Sequence, residues 1–282
     1  MKRPACFKGL AISAAGLLVA LGLSTGLAHA DSESTMDRVE RTKVLRVGVI
    51  NGAIPYFNKD LASGEWSGFG PDFSRDLAKD LGVKLEFVET TWGNSVMDLQ
   101  ANKIDAMFAL APTPARRNMV GFSDALFNNT YTLVCKTGYP DKTWDQLNTP
   151  ETKISVDLGS SMDNFATEKL PHATISRLDS TSAATMALQA GRADCQVLTV
   201  LLAQPLLKKM PDIGSLYVPT PVLAAPVTVG IQIEQDPRFM TAINTWLAKE
   251  KNSGEVRRII IGNMQKLAGI DPASFPASVK FE

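Results

Sequence analysis

Histidine is scarce in this 282-residue chain: only His29 and His172 occur. His172 lies in a loop-like LPHAT, so a Ser-His-Asp triad would have to use it, and no G-x-S-x-G nucleophile turn is present. One histidine beyond the N-terminal segment removes His-paired metal sites. There is no C-x-x-C, H-E-x-x-H or P-loop, and GFGPDF matches a Gly-rich phosphate loop only in fragment. No cofactor and no metal are therefore expected. Charge of one sign is also lacking: 29 basic residues stand against 29 acidic. No basic cluster exists to hold nucleic acid. Cysteine is limited to Cys6, Cys135 and Cys195.

Long apolar runs are missing except at the start. Lys2, Arg3 and Lys8 precede the nearly wholly apolar Leu10–Leu23, and Ala28-His29-Ala30 is a small-x-small cleavage site. This predicts a secretory signal over residues 1–30, cleaved after Ala30, and a periplasmic product. No cysteine follows the apolar run to make a lipoprotein site. No other segment nears the ~20 apolar residues of a membrane helix. The mature chain, Asp31 to Glu282, has 252 residues with 26 basic and 29 acidic. That length suits one large or two modest domains. Cys135 and Cys195 remain in apolar strand-like runs, TLVC and CQVL. In an oxidising compartment the pair could be bridged, but two buried free thiols are the simpler expectation, since sequence alone cannot supply the separation that a bridge requires.

Residues 31–43 are polar and read as a flexible N-terminus. VLRVGVI (44–50) reads as a strand. In GFGPDFSRDLAKDLG (68–82), Phe69, Phe73, Leu77 and Leu81 recur every four residues, a helical face with Pro71 in its first turn and Gly82 at its end. VKLEFVE is a strand, SVMDLQAN a helix and DAMFAL a buried strand. A second β-α-β-α-β series starts near 131: YTLVCK, KISVDLG (153–159) running into a helix at 160–169, ATISRL, STSAATMALQAG and ADCQVL. The phrase LQANKIDAMFAL (99–110) returns as LQAGRADCQVLT (188–199). Asp105 and Asp194 hold the same place in each copy and are expected to brace local turns. PVTVGIQI (226–233) is one more strand, followed by helices over 237–251 and 255–266.

Such alternation predicts an α/β fold of two lobes, each a mostly parallel sheet flanked by helices. Crossings near 131 and 226 make two hinge strands. The expected bounds are 44–131 with 229–282 for lobe 1 and 132–228 for lobe 2. Ligands favour the crevice at strand C-termini in such sheets.

ALAPTPARRNMVGFSDALF (109–127) places Arg116 after a Thr-Pro turn that follows a buried strand. Its planar fork suits a carboxylate, with the Thr113 hydroxyl nearby. By position alone, Arg116-Arg117 also reads as a solvated basic pair. Gly159, Ser160 and Ser161 lead into a helix, whose first amides and two hydroxyls attract anions or simply cap the helix. Tyr56, Phe57, Trp66 and Trp92 form a set able to wall an apolar crevice, though each alone fits core or rim.

Together RVGV, GFGPDFSRDLAKDLG, KIDAMFAL-x-x-TPAR, VGFSDALF, DLGSSMDNF and GRADC resemble the bacterial extracellular solute-binding proteins of family 3, the periplasmic polar amino-acid-binding proteins. The likeness runs from Val44 to about Asn263. It implies a type II periplasmic-binding fold of two lobes and two hinge strands. It also implies that Arg116 and Thr113 match the family's T-P-x-R motif, with Arg116 holding the ligand α-carboxylate, and that Ser160 and Ser161 hold it from the other lobe. Gly159, Tyr56, Asn51, Trp92 and Thr199 complete the candidate set. Three departures stand out. The span from Asp105 to Arg116 is one residue short. Ala53 falls where an aromatic is common. Thr199 falls where the family usually carries the Asp that binds the ligand ammonium. Either Asp163 or Asp124 replaces that acid, or the ligand has no ammonium there.

The expected function is the binding component of an ABC importer, a non-enzyme that closes on an amino acid or related small carboxylate and presents it to permease subunits, as a monomer without nucleic acid. A periplasmic enzyme resembling cyclohexadienyl dehydratases, turning over prephenate or arogenate, competes with this, but no crevice acid to drive it is evident in the sequence. A receptor reporting to a membrane sensor is a third reading.

Overall fold

A computed structural model describes residues 33–271 and 273 of the chain. The predicted secretory leader over residues 1–30 and its expected cleavage site lie outside the described residues. The polar stretch read as flexible is largely helical. Ser34 caps α1 (Thr35–Thr42) by accepting from the Asp37 amide, and Lys43 ends it in a left-handed conformation. Val39 is fully buried, and the Arg38 guanidinium reaches Asp105. Val39, the Arg38–Asp105 pair and the pairing of Asp37 and Glu40 with Arg238 dock this short helix, which a composition-based reading passes over.

β1 (Val44–Val49) leads through a small hairpin, β2 (Asn58–Lys59) and β3 (Trp66–Ser67), to α2 (Phe69–Asp80). Phe69, Phe73 and Leu77 are fully buried on the α2 face that the four-residue spacing predicts. β4 (Lys84–Glu89) pairs in parallel with β1, and α3 (Asn94–Gln100) runs toward β5 (Met107–Leu110). The one-turn α4 (Pro114–Arg117) and β6 (Gly121–Phe122) follow. Next come β7 (Phe127–Cys135), α5 (Trp144–Leu147), β8 (Lys153–Asp157), α6 (Ser161–Lys169), β9 (Thr174–Leu178), α7 (Thr181–Gln189) and β10 (Cys195–Thr199). The chain closes with α8 (Val200–Lys209), β11 (Ser215–Tyr217), β12 (Ala224–Ile231), α9 (Arg238–Asn252) and α10 (Glu255–Ala268).

The large sheet runs β5-β12-β7-β10-β8-β9, with β11 and β6 at its side. β8 pairs β9 and β10 in parallel, but β10 meets β7 antiparallel, and β12 is antiparallel to both neighbours. β12 contacts β7 through Ala224–Val227 and β5 through Thr228–Gly230, so one strand ties the two halves of the sheet together.

The antiparallel β7–β10 register corrects the expectation of free thiols. Cys135 and Cys195 stand directly opposite each other and form a disulfide, with Cα atoms 4.0 Å apart. Reading ADCQVL only as the parallel end of its repeat hides this pairing.

The repeated phrase has a structural job. Asp105 accepts the Arg46 amide at 2.7 Å and pairs with the Arg46 and Arg38 side chains. Asp194 accepts the Lys153 amide at 3.1 Å and pairs with Lys136. Each aspartate ties its turn to an earlier parallel strand, the interior of β1 in one case and the start of β8 in the other. Among the described residues no helix is long and apolar enough to cross a membrane.

Candidate functional site

The end of β5, the start of α6, the middle of β7 and the adjoining parts of β12 and α8 converge on one cavity. The cavity is tight in this conformation, about 30 Å³, room for little more than a water molecule or two. Apolar side chains such as Ala111, Met162, Leu202 and Val227 supply much of its wall, and Tyr56 and Trp92 add aromatic surface.

Arg116 lines the cavity from α4. It is 4% exposed, and its guanidinium donates to the Ala111 carbonyl at 3.0 Å and the Gly159 carbonyl at 2.8 Å. These neutral partners fix its orientation. No carboxylate among the described residues pairs with it. Burial pulls its pKa down to about 10, so it remains a cation at neutral pH. A buried cation without a counter-ion is costly, by several kcal/mol in order of magnitude (~), and an anion entering the cavity relieves that cost.

Facing it is the start of α6. The Ser160 hydroxyl caps the helix by accepting the Asp163 amide at 3.2 Å. The Ser161 hydroxyl donates to the Met162 sulfur at 3.4 Å, and Ser161 and Tyr131 both line the cavity. The first amides of α6 have no acceptor within the helix. This edge thus offers donors toward the same space as Arg116. Burial raises the Tyr131 hydroxyl pKa, keeping the proton on the phenol.

Tyr56 forms the opposite polar corner. It is 4% exposed, its hydroxyl lies 3.3 Å from the Thr199 hydroxyl, and the Asn129 amide donates to it. Burial pushes its pKa well above the ordinary tyrosine value. Two polar atoms on this side, Trp92 Nε1 and Asn129 Oδ1, are buried with no protein partner. Such orphans in a native interior are rare and point to a ligand or water. Ala109, also in the wall, has φ 63°, a left-handed conformation that costs a non-glycine residue about 1–2 kcal/mol. β12 breaks register opposite it, between Thr228 and Val229.

Of the nine residues singled out from sequence, Arg116, Ser160, Ser161, Tyr56, Trp92 and Thr199 line the cavity. Three do not. Asn51 is exposed beside a neighbouring pocket, its side chain accepting the Lys59 amide at 3.4 Å. Thr113 is buried, but its hydroxyl is unpartnered in a flanking pocket with Arg117 and Phe165. Gly159 spends its amide on Asp163 and its carbonyl on Arg116, leaving no backbone donor for a ligand. Phe57 is core, and Trp66 packs on Phe87 beneath Lys59.

Neither acid considered as a substitute partner for an ammonium reaches the cavity. Asp163 is bound by the Gly159 amide and Arg177, and Asp124 is exposed elsewhere. Asn129 and Tyr131 were missed. They alternate on one face of FNNTYTLVC, and two polar residues at i and i+2 in an otherwise buried strand are the signal that marks them.

This architecture and crevice define a type II periplasmic binding protein, two α/β halves joined by shared strands. The chain belongs to the bacterial extracellular solute-binding proteins, family 3, whose model matches residues 45–262. Among curated proteins it is 25% identical over 244 residues to the cyclohexadienyl dehydratase of Pseudomonas aeruginosa, covering 86% of this chain and 90% of that one. It is 30% identical over 185 residues to the ABC transporter glutamine-binding protein GlnH of Bacillus subtilis, covering 63% and 67%. Among solved structures, the ancestral amino acid-binding protein AncCDT-1, described as a precursor of cyclohexadienyl dehydratase, superposes with TM-score 0.70 at 31% identity, covering 80% of this chain and 97% of that one.

Proposed function

We propose that this chain is the periplasmic receptor of an ABC importer, which closes two lobes on an amino acid or related small carboxylate and delivers it to permease subunits as a monomer. The lobes divide where β7 and β12 cross, near residues 131–132 and 228–229. The observation that carries this reading is Arg116: a buried guanidinium, oriented by two carbonyls and lacking any carboxylate partner, at the wall of a mostly apolar cavity. The α-carboxylate binds the free edge of the guanidinium and the Ser160–Ser161 helix start. Tyr56 and Trp92 cover the rest of the ligand. Relatives that bear the names of amino-acid-binding proteins support the transport role.

The test is thermal unfolding with small carboxylates, followed by solution scattering. A ligand at ~100 times its Kd adds about 2.7 kcal/mol, a shift of several degrees, and lobe closure shrinks the radius of gyration. Absence of both effects across the panel removes the proposal.

A dehydratase is the second reading, favoured by the similarity to the Pseudomonas enzyme over most of both chains. Such chemistry needs an acid at the leaving hydroxyl. No carboxylate lines this cavity among the described residues; Asp157, Asp179 and Glu89 wall the neighbouring pocket. Turnover of prephenate or arogenate by purified protein decides between the two.

A further inference from the structure

The cavity has an uneven charge inventory. Its wall holds one cation, Arg116, and no carboxylate among the described residues. A monoanionic ligand brings the sum to neutral. A zwitterion leaves one uncompensated positive charge and buries an ammonium against neutral groups only, an arrangement that low-dielectric surroundings penalise.

The polar corner away from Arg116 is neutral as well. Tyr56, Asn129 and Thr199 are hydrogen-bonded together, and burial holds the Tyr56 proton in place. Two atoms there lack partners among the described residues: Trp92 Nε1, a donor, and Asn129 Oδ1, an acceptor. Trp92 and Tyr56 meet edge to face, ring centroids 6.1 Å apart, so both orphans flank the same phenol. An ammonium has three donors and no acceptor, and it cannot satisfy the indole N–H. A hydroxyl both accepts and donates, so it can satisfy Trp92 Nε1 and Asn129 Oδ1 together, whereas an ammonium satisfies only the Asn129 oxygen. Acidic groups do exist nearby, but they line a separate pocket that shares only Trp92 with this one, and there Asp157 already accepts the Thr181 hydroxyl.

Resting on the proposed carboxylate-receptor function, we infer that the site selects a small 2-hydroxy acid with an apolar body over the amino acid of the same skeleton. Arg116 takes the carboxylate. Trp92 and Asn129 take the hydroxyl. Thr199 determines specificity by keeping the Tyr56 corner uncharged.

Isothermal titration of the disulfide-intact mature protein, unfolded and refolded to strip carried-over ligand, tests this with matched pairs. These are lactate beside alanine and 2-hydroxy-4-methylpentanoate beside leucine, with arginine added to probe the acidic pocket. At least one hydroxy acid is expected to bind tenfold or more tighter than its amino twin. Thr199→Asp is expected to reverse that order, tightening the amino acid at least tenfold and weakening the hydroxy acid. Asn129→Asp, which brings the charge to the other side of Tyr56, serves if Thr199→Asp does not fold. Amino acids binding as well as their twins, arginine binding best, or an unchanged ratio in the folded variant overturns the inference and leaves the carboxylate receptor standing. Binding of none of these acids overturns both.

Discussion

Arg116 Nη2 donates to the Gly159 carbonyl at 2.8 Å, joining two residues 43 positions apart across the mouth of the crevice. Gly159 has φ 71°, and a Cβ there would lie 2.8 Å from the Gly93 Cα. The loop before α3 and the loop before α6 therefore touch backbone to backbone, and the Arg116 guanidinium is held where they meet. On the proposed function, anion binding and closure are linked through this one side chain.

Gly159→Ala tests that contact. The left-handed conformation costs alanine about 1–2 kcal/mol, and the methyl group meets Gly93 backbone that cannot swing aside. The variant is expected to fold, by circular dichroism, but to bind carboxylates at least tenfold more weakly and to show no ligand-induced compaction in scattering.

Arg116→Lys keeps the charge and loses the planar fork. A lysine cannot hold both carbonyls and still present a flat edge to a carboxylate. Affinity should fall about 10–100-fold, or ~1.4–2.8 kcal/mol. Titration calorimetry measures the loss, and retained native affinity would remove Arg116 from the site.

Cys135–Cys195 closes a loop with a sequence separation of 60. Chain entropy gives such a cross-link about 4 kcal/mol. Reduction, or the Cys135→Ala/Cys195→Ala pair, should lower unfolding stability by about 2–4 kcal/mol in urea titrations.

Asp157 gives a pH signature. Burial raises its carboxyl from the ordinary 3.8 to about 6, against the Thr181 hydrogen bonds that favour the charged form. The folded state therefore binds this proton more tightly than the unfolded chain. Its contribution favours folding at low pH and is lost as pH rises through about 6. Asp157→Asn retains an acceptor for Thr181 and removes the titration. The variant should gain on the parent between pH 4 and 7, reaching about 1–3 kcal/mol at pH 7. Equal pH slopes for the two proteins would contradict this.

Periodicity carried much of the fold. The Phe69-Phe73-Leu77 face, the strand runs and the repeated LQA phrase mark elements through local spacing, and those elements form where the spacing places them. Residues 35–42 escaped because their helix depends on docking of Val39 and Arg38 rather than on an apolar face. At the cavity, the Ser160–Ser161 helix start is legible from adjacent residues, whereas Arg116 stands out from a solvated basic pair only through the family resemblance of its T-P-x-R motif. Asn129 and Tyr131 are not legible, because their meaning depends on which face of β7 turns to the crevice.

The sequence by itself determined the order of elements, the family, and the Thr-Pro turn that carries Arg116. Only the tertiary structure decided that β10 runs antiparallel to β7, which joins the two cysteines, and that Asn51, Thr113 and Gly159 stand outside the cavity wall. It also decided the balance of charge around Arg116. The physical reason is the same in each case. Hydrophobic spacing reports which side of an element is buried, and it is identical for parallel and antiparallel neighbours. What a buried side chain faces depends on segments far away in the chain, brought together when the whole fold packs.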